Sequence, residues 1–242
     1  MGQMNEIRNI VILTGAGVSA ESGIDTFRDA GGLWEQHKVE DVATPEAFAR
    51  DPDLVLRFYD MRREAIQTKQ PNAAHHALGR LEAEWAKRED CELTLVTQNV
   101  DDLHERGGSE RLIHMHGGHL TAWCLACDNR PEWREPLLDR PTCPTCGVAG
   151  KLRPDVVWFG EMPYRMEEIY AALSAADLFV SIGTSGAVYP AAGFVQEARG
   201  QGIRTLELNL EASQGSAYFD ESRHGPATQV VPEWVEEMLG GV

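Results

Sequence analysis

The chain has 242 residues, with 38 acidic against 22 basic side chains and a formal net charge of −16. Its 43% hydrophobic and 25% charged content is ordinary for a globular protein, and its length suits one large domain with an insertion better than two equal domains. The charge excludes attraction to free nucleic acid and anionic membranes; it favours basic partners such as lysine-rich protein segments, or serves solubility alone. No apolar run reaches the span of a membrane helix, and Met1-Gly-Gln-Met-Asn-Glu-Ile-Arg8 lacks a basic segment followed by an apolar core, so a cytoplasmic location is expected.

The first predicted element is a strand over 8–13, centred on the apolar run Ile10-Val-Ile-Leu13. Gly15, Gly17 and Ala20 follow in the G-x-G-x-x-G/A pattern of dinucleotide-binding turns, where backbone N–H groups and a helix N-terminus hold a pyrophosphate. An ordinary dinucleotide fold then needs a second strand ending in an acidic residue about 20 residues on. Residues 33–50 contain no such apolar strand, and the loop runs through Gly23 to Phe27 and Arg28, which suggests chemistry other than hydride transfer.

Helices are predicted within 44–69 and 72–88, with Pro45, Pro52 and Pro71 near their starts. A strand over 92–97 leads into the polar turn Gln98-Asn-Val-Asp101, and a short strand over 111–115 ends at His116-Gly117. After a cysteine-bearing stretch, roughly 119–150, strands are predicted near 155–158, at 177–182 and at 203–208, with helices at 163–175, 190–200 and 232–239. Strands alternating with helices imply an α/β, Rossmann-like parallel sheet, doubly wound. The helical segment after the glycine loop and the cysteine module interrupt that rhythm.

Cys124-x-x-Cys127 and Cys143-x-x-Cys146 stand fifteen residues apart, the spacing of a zinc ribbon whose four thiolates close a structural Zn²⁺ site. Paired disulfides are disfavoured in a chain expected to be cytoplasmic, and the fifth cysteine, Cys91, reads as core. Few basic residues lie near the module, which argues against nucleic-acid binding. Gln98 to Asp101, Gly183-Thr-Ser185 and Asn209 each follow a strand, so they converge with the glycine loop on one sheet edge, where ligands bind. Asn99 and Asp101 suit ribose hydroxyls and a carboxamide, and suit a helix N-cap equally well. His114 and His116 share a face of an extended segment; either is a general base or a structural histidine. Tyr59 and Arg62 share a helical face as a carboxylate clamp or as a solvent-facing pair.

Taken together, these motifs resemble the sirtuins, NAD-dependent protein-lysine deacylases, from Ile10 to Val231. The resemblance also rests on Gly23-Ile-x-x-Phe-Arg28, Thr97-Gln-Asn-Val-Asp101 and Val156-Val-Trp-Phe-Gly-Glu161. Ala43-Thr-Pro45 and Tyr59-Asp-Met-Arg62 are similar to the bacterial class III branch, whose members remove succinyl and malonyl as well as acetyl groups. The resemblance implies a Rossmann-like large part, about 1–34, 72–118 and 151–242. A small part, helical over 35–71 and zinc-binding over 119–150, completes it.

The cofactor, NAD, would lie on Gly15, Ala16, Gly17, Ser19, Ala20, Gly23, Thr26, Phe27, Arg28 and Trp34. Gln98, Asn99 and Asp101 would meet its ribose and nicotinamide, and Gly183, Thr184, Ser185, Asn209, Leu210, Glu211 and Ala227 its adenosine side. Val157, Phe159, Gly160 and Glu161, with Gly186, Val188 and Tyr189, would pair with the substrate backbone as an added strand, while Ala43, Tyr59 and Arg62 would receive the acyl group. His116 would be the general base.

In this chemistry the acyl oxygen attacks C1′ of the nicotinamide ribose and nicotinamide leaves. His116 then deprotonates a ribose hydroxyl, which attacks the resulting imidate; with the uptake of one water the products are free lysine and O-acyl-ADP-ribose. The implied partners are acylated protein lysines, with no nucleic acid or membrane, and the implied state is a monomer. Asp25-Thr26 stands where the family often has Pro-Asp, leaving the loop less preorganised and placing an anion near a diphosphate. Gly118 replaces the Ser or Glu usual after His-Gly, which bears on how His116 is oriented. The rival readings are a dehydrogenase, which lacks its acidic strand end; a zinc-bearing nucleic-acid module, which lacks a basic face; and an ADP-ribosyltransferase, which differs only in the acceptor.

Overall fold

The computed structural model describes residues 7–25, 33–34 and 37–240, with Leu33 and Trp34 described in their backbone only. Among the described residues, strands β1 (Asn9–Thr14), β2 (Leu33–Trp34), β3 (His37–Lys38), β4 (Glu92–Thr97), β5 (Leu112–His114), β6 (Gly117–Cys124), β7 (Leu152–Val156), β8 (Leu178–Ile182), β9 (Arg204–Asn209) and β10 (Glu221–His224) are joined by eight α-helices. These are α1 (Val39–Val42), α2 (Pro45–Arg50), α3 (Pro52–Thr68), α4 (Ala73–Trp85), α5 (Leu103–Arg106), α6 (Met166–Ser174), α7 (Phe194–Gly200) and α8 (Ala227–Gly240). No described helix is long and apolar enough to cross a membrane.

Six strands form the expected parallel sheet, in the order β10-β9-β8-β1-β4-β5. Alternation along β1 makes it doubly wound. Ile10 and Ile12 pack with Leu78 and Leu81 of α4 and Trp234 of α8, while Val11 and Leu13 pack with Ile169 of α6 and Phe194 of α7. The chain builds outward from β1 to β4 and β5, then returns to add β8 on the other side. The gap between β1 and β8 is therefore the topological switch point where such sheets bind ligands. The register sets every strand end level: Thr14 lies beside Thr97 and Ile182, Thr97 beside His114, and Ile182 beside Leu208.

The helical segment expected in 44–69 is two helices broken at Asp51. Asp51 closes α2, and its side chain accepts from Leu54 N at 3.0 Å to cap α3, with Pro52 in the first turn. α4 starts on a reciprocal cap between Asn72 and His75. One side of α3 sends Phe58 and Tyr59 into a cluster with Val42, Ala43, Val156 and Trp158. Leu56 joins Ala122, Cys124, Leu137, Cys143 and Leu152, which seats the cysteine module on the same helix.

Four sequence expectations are corrected. The strand expected near 155–158 as part of the main sheet is β7. It pairs antiparallel with β6 outside that sheet, because the cysteine module folds the chain straight back on itself and supplies no crossover helix. The terminal helix begins at Ala227 rather than 232, with Pro232 inside it; burial of Val231, Trp234 and Val235 outweighs the backbone bond that proline removes. The edge strand β10, Glu-Ser-Arg-His, carries no apolar signal and was not expected. Among the described residues 15–25 no α-helix opens: Ala16–Val18 and Ala20–Ser22 are single 3₁₀ turns, so these residues offer a pyrophosphate no α-helix N-terminus.

Candidate active site

Because the strands are parallel and level, their C-terminal loops meet, and they enclose a cavity of about 760 Å³. The glycine turn forms one wall. Gly15 N donates to Ile182 O and Gly17 N to Gly183 O, both at 2.9 Å. A Cβ on Gly15 or Gly17 would lie 2.8 Å from Gly183 O, and one on Gly183, whose φ is +61°, would lie 2.5 Å from Val18 N. These glycines are thus required first because two strand-end loops pack backbone against backbone across the switch point. The smooth wall offered to a ligand follows from that.

Behind this wall lies a buried polar network. Ser19 Oγ donates to Asp101 Oδ2 at 3.1 Å, receives Asn99 Nδ2 at 3.1 Å and meets His75 Nε2 at 3.3 Å. Asp101 Oδ1 also accepts from Leu103 N at 3.1 Å, so the carboxylate orders the start of α5 and faces the cavity at once. Burial pushes its carboxyl above the usual range, against the pull of its hydrogen bonds. On the far side Asn209 Nδ2 donates to Thr184 O at 2.7 Å, tying the ends of β8 and β9 together.

His116 stands at the centre. Its Nδ1 donates to Gln98 O at 3.1 Å, which leaves Nε2 as the basic nitrogen. Burial holds its pKa below the ordinary histidine value, opposed by that bond, so the ring is neutral at pH 7. His114 differs. Nδ1 meets Asn99 O at 3.2 Å and Nε2 meets Glu105 Oε1 at 2.7 Å, so both nitrogens are held. Burial pulls its pKa down, but the Glu105 carboxylate wins and raises it. His114 does not line the cavity. Gly117 has φ +75°, and a Cβ there would sit 2.0 Å from Asp155 O, so the glycine after His116 serves the β6–β7 approach rather than a ligand. Gly118 has ordinary space around it, and the Gln98 carbonyl orients His116 without its help.

Beyond His116, the segment after β7 is pinned at both sides: Val157 N donates to His116 O at 2.9 Å and Phe159 N to Ala43 O at 3.0 Å. Arg153 holds Glu161 through two bonds of 2.7 and 3.0 Å and lies 3.4 Å from the Trp158 ring centroid. Under this segment Tyr59 and Arg62 line the cavity, only 0% and 7% exposed, and so are not a solvent-facing pair. Trp158 Nε1 donates to Tyr59 Oη at 3.0 Å, and burial raises the phenol's pKa well above its usual value, so it stays protonated.

The structure brings most expected positions to this one cavity. Gly15, Ala16, Gly17, Ser19 and Ala20 line it with Gln98, Asn99, Asp101 and His116; so do Gly183, Thr184, Ser185, Asn209, Leu210, Glu211 and Ala227. Ala43, Tyr59, Arg62, Val157, Phe159, Gly160, Glu161, Val188 and Tyr189 complete the wall. Gly23 and Gly186 do not line it; they sit behind it at φ +78° and +66° and let the loops turn. Thr26, Phe27 and Arg28, and the side chain of Trp34, lie outside the described residues. Asp25 is exposed on the cavity rim. Trp158, part of the Val156–Glu161 motif, orients Tyr59, and Arg153, which orders Glu161, was not singled out from sequence. Both lie in the stretch 152–161, whose long-range partners no local pattern reveals.

The four cysteines converge although they come from two separate knuckles. Their sulfurs all lie within 4.8 Å of one another, with Cys124–Cys146 at 3.8 Å and Cys127–Cys143 at 3.9 Å. A tetrahedron with Zn–S bonds of about 2.3 Å has edges of about 3.8 Å, so the cluster fits zinc. Each knuckle turns on a left-handed residue just past its second cysteine, Asp128 at +61° and Gly147 at +74°.

The Sir2 family model matches residues 15–190. The protein named NAD-dependent protein deacylase of Vibrio parahaemolyticus serotype O3:K6 is 57% identical over 234 residues, 96% of this chain and 95% of its own length. The Salmonella typhimurium protein of that name is 54% identical over 242 residues, 99% and 87% of the two chains. Among solved structures, a Sir2 homologue–NAD complex superposes with a TM-score of 0.85 at 39% identity, covering 98% of this chain and 91% of that one. A Sir2 complex with a peptide and NAD gives a TM-score of 0.81 at 28% identity, covering 98% and 96%.

Proposed function

The chain belongs to the Sir2 family, and from that membership we propose that it is an NAD-dependent protein-lysine deacylase that removes acidic acyl groups, succinyl and malonyl, as well as acetyl. One observation carries this reading: a single cavity joins the glycine-turn wall, a neutral His116 and the buried Tyr59–Arg62 pair. The cavity also fits the cofactor. Its volume is within the range of ligand sites, its upper wall is bare backbone, and Asn99 and Asp101 offer groups suited to ribose and carboxamide.

Bound there, NAD would supply an electrophilic ribose carbon that accepts the acyl oxygen as nicotinamide leaves. The chain's own residues do the rest. The 157–161 segment and residues 188–189 hold the substrate backbone along the rim. Val100, Trp158 and Phe159 exclude water from the acyl-lysine. His116 Nε2 takes the proton of a ribose hydroxyl, and Gln98 O steadies the imidazolium that forms. Arg62 supplies the counter-charge for an acyl carboxylate and Tyr59 a neutral phenol beside it. The cysteine cluster carries a structural zinc remote from these steps.

We place the active site between a large part, about 1–34, 72–118 and 151–242, and a small part, about 35–71 and 119–150, in a cytoplasmic monomer that does not act on nucleic acid. Mass spectrometry of the products from NAD with acetyl- and succinyl-lysine peptides tests the reading. Nicotinamide, free lysine and O-acyl-ADP-ribose from both peptides are expected. ADP-ribose attached to protein without loss of the acyl group would favour an ADP-ribosyltransferase instead.

A further inference from the structure

His114 and His116, at and just past the end of β5, grip successive carbonyls of the 98–101 turn: His116 that of Gln98, His114 that of Asn99. The Asn99 backbone is held on its other side by Thr97 Oγ1, which accepts from Asn99 N at 3.0 Å, and its side chain reaches Ser19 Oγ at the cavity. We propose that His114 and Glu105 form a positioning pair for Asn99, in which only the imidazolium form of His114 fixes the turn, so that the pair sets an alkaline limit on NAD-dependent turnover separate from His116. The proposal rests on the deacylase reading given above.

The physical case is a count of protons. Both partners of His114 are acceptors: the Asn99 carbonyl oxygen lies 3.2 Å from Nδ1, and Glu105 Oε1 lies 2.7 Å from Nε2. A carbonyl and an ionised carboxylate have no proton to offer, so both contacts are hydrogen bonds only when both ring nitrogens carry one. His116 has the single acceptor Gln98 O at its Nδ1 and grips that carbonyl uncharged.

When the His114 ring loses a proton, the carboxylate keeps the other, because it is the closer acceptor and charge-assisted bonds are the stronger. Nδ1 then turns a lone pair toward the Asn99 carbonyl, and the turn loses its hold on β5. The ionisable groups around His114 decide where this happens. Burial lowers its pKa, but Glu105 of α5, then the Asn99 carbonyl and Asp101 of the turn, raise it above the ordinary 6.5. Burial also acts against the Glu105 carboxylate, yet His114 and then Arg106 hold its pKa below the ordinary value, so it stays ionised. His104 of α5 is neutral, its pKa pushed well below 6.5 by burial and then by His75 and His114. The hold on Asn99 is thus complete below the His114 pKa and lost as pH rises through it.

Two replacements test the pair. Glu105→Gln removes the charge and presents an amide N–H to Nε2, so a neutral ring keeps its one proton on Nδ1 for Asn99. His114→Phe keeps a ring and removes both donors. The readout is kcat/KM for NAD with an acetyl-lysine peptide from about pH 6.5 to about pH 9, with kcat and KM separated. Wild type is expected to fall about 3- to 10-fold through a pKa above 6.5, Glu105→Gln to stay flat near the wild-type maximum, and His114→Phe to stay flat near the wild-type minimum. A purely packing role would leave the alkaline limb in place in Glu105→Gln; that result, or a wild type without such a limb, overturns the proposal.

Should His114→Phe not fold, wild type and Glu105→Gln alone decide, since the Glu105 side chain is 45% exposed and tolerates an isosteric change. NAD affinity by calorimetry over the same pH range carries the comparison without turnover. Affinity that weakens with pH in wild type and holds constant in Glu105→Gln is expected; equal pH dependence in the two refutes the pair. A wild type that binds NAD in the expected pattern but frees no lysine from acyl peptides would instead refute the deacylase reading beneath the proposal.

Discussion

Replacing Arg62 by methionine keeps an unbranched side chain of similar length on α3 and removes the one feature the acyl pocket needs for an acidic group, a buried positive charge. The site is dry, Arg62 being 7% exposed and Tyr59 0%. Bringing a succinyl carboxylate into it without a counter-charge costs several kcal/mol. The hydrogen bonds that Arg62 would make to that carboxylate contribute about 1.5–3 kcal/mol, and each ~1.4 kcal/mol is a decade in rate. Arg62→Met should therefore lower kcat/KM for desuccinylation by about one to three decades. An acetyl group has no carboxylate to strand, so deacetylation should change much less. Tyr59→Phe should show the same bias more weakly, since Trp158 Nε1 loses its acceptor but the charge remains. The assay is steady-state kcat/KM on matched acetyl- and succinyl-lysine peptides, with a thermal melt to confirm that the variants fold. Equal losses on both substrates would make the pair structural, and the enzyme would then be a plain deacetylase.

His116→Ala or His116→Tyr should cut turnover by about two to four decades while nicotinamide exchange suffers less, and His114→Ala should not match that loss; a folded His114→Ala as damaging as His116→Ala would refute the assignment. The neutral ring is the active form and its pKa is held below the ordinary 6.5, so the acid limb of the kcat/KM–pH profile should fall below that value, activity being lost as pH drops through it; a limb above 6.5 that vanishes in His116→Ala would contradict the burial argument. Metal analysis of freshly purified protein should find one zinc per chain, and replacing any of Cys124, Cys127, Cys143 or Cys146 by serine should lower the melting temperature, because metal binding there is folding free energy; active protein without zinc would exclude the site.

Much of the site was legible because its signals are local. The two C-x-x-C pairs dictate a four-sulfur cluster whatever surrounds them, since each knuckle is closed by its own few residues. The strand-end loops could be brought together on paper because a parallel sheet places every strand's C-terminus on one edge, as the level register of Thr14, Thr97, Ile182 and Leu208 bears out. A short polar strand such as β10, and one such as β7 that pairs back on its predecessor, carry no such local mark.

Other features were decided only by packing between distant segments. Sequence spacing put Tyr59 and Arg62 on one helical face but could not say which way it turned; Val156 and Trp158, about a hundred residues away, turned it inward. The glycine pattern announced a close approach, but the approaching partner is first the backbone of Gly183, not only a ligand. His119 had no pattern to mark its burial, because the guanidinium it meets lies 57 positions earlier. Sequence by itself thus determined what chemistry each local motif can support, since bond geometry and side-chain type act within a few residues. Tertiary structure decided which groups are dry, charged and within reach of one another, since burial and Coulomb forces act between whatever segments the sheet brings together.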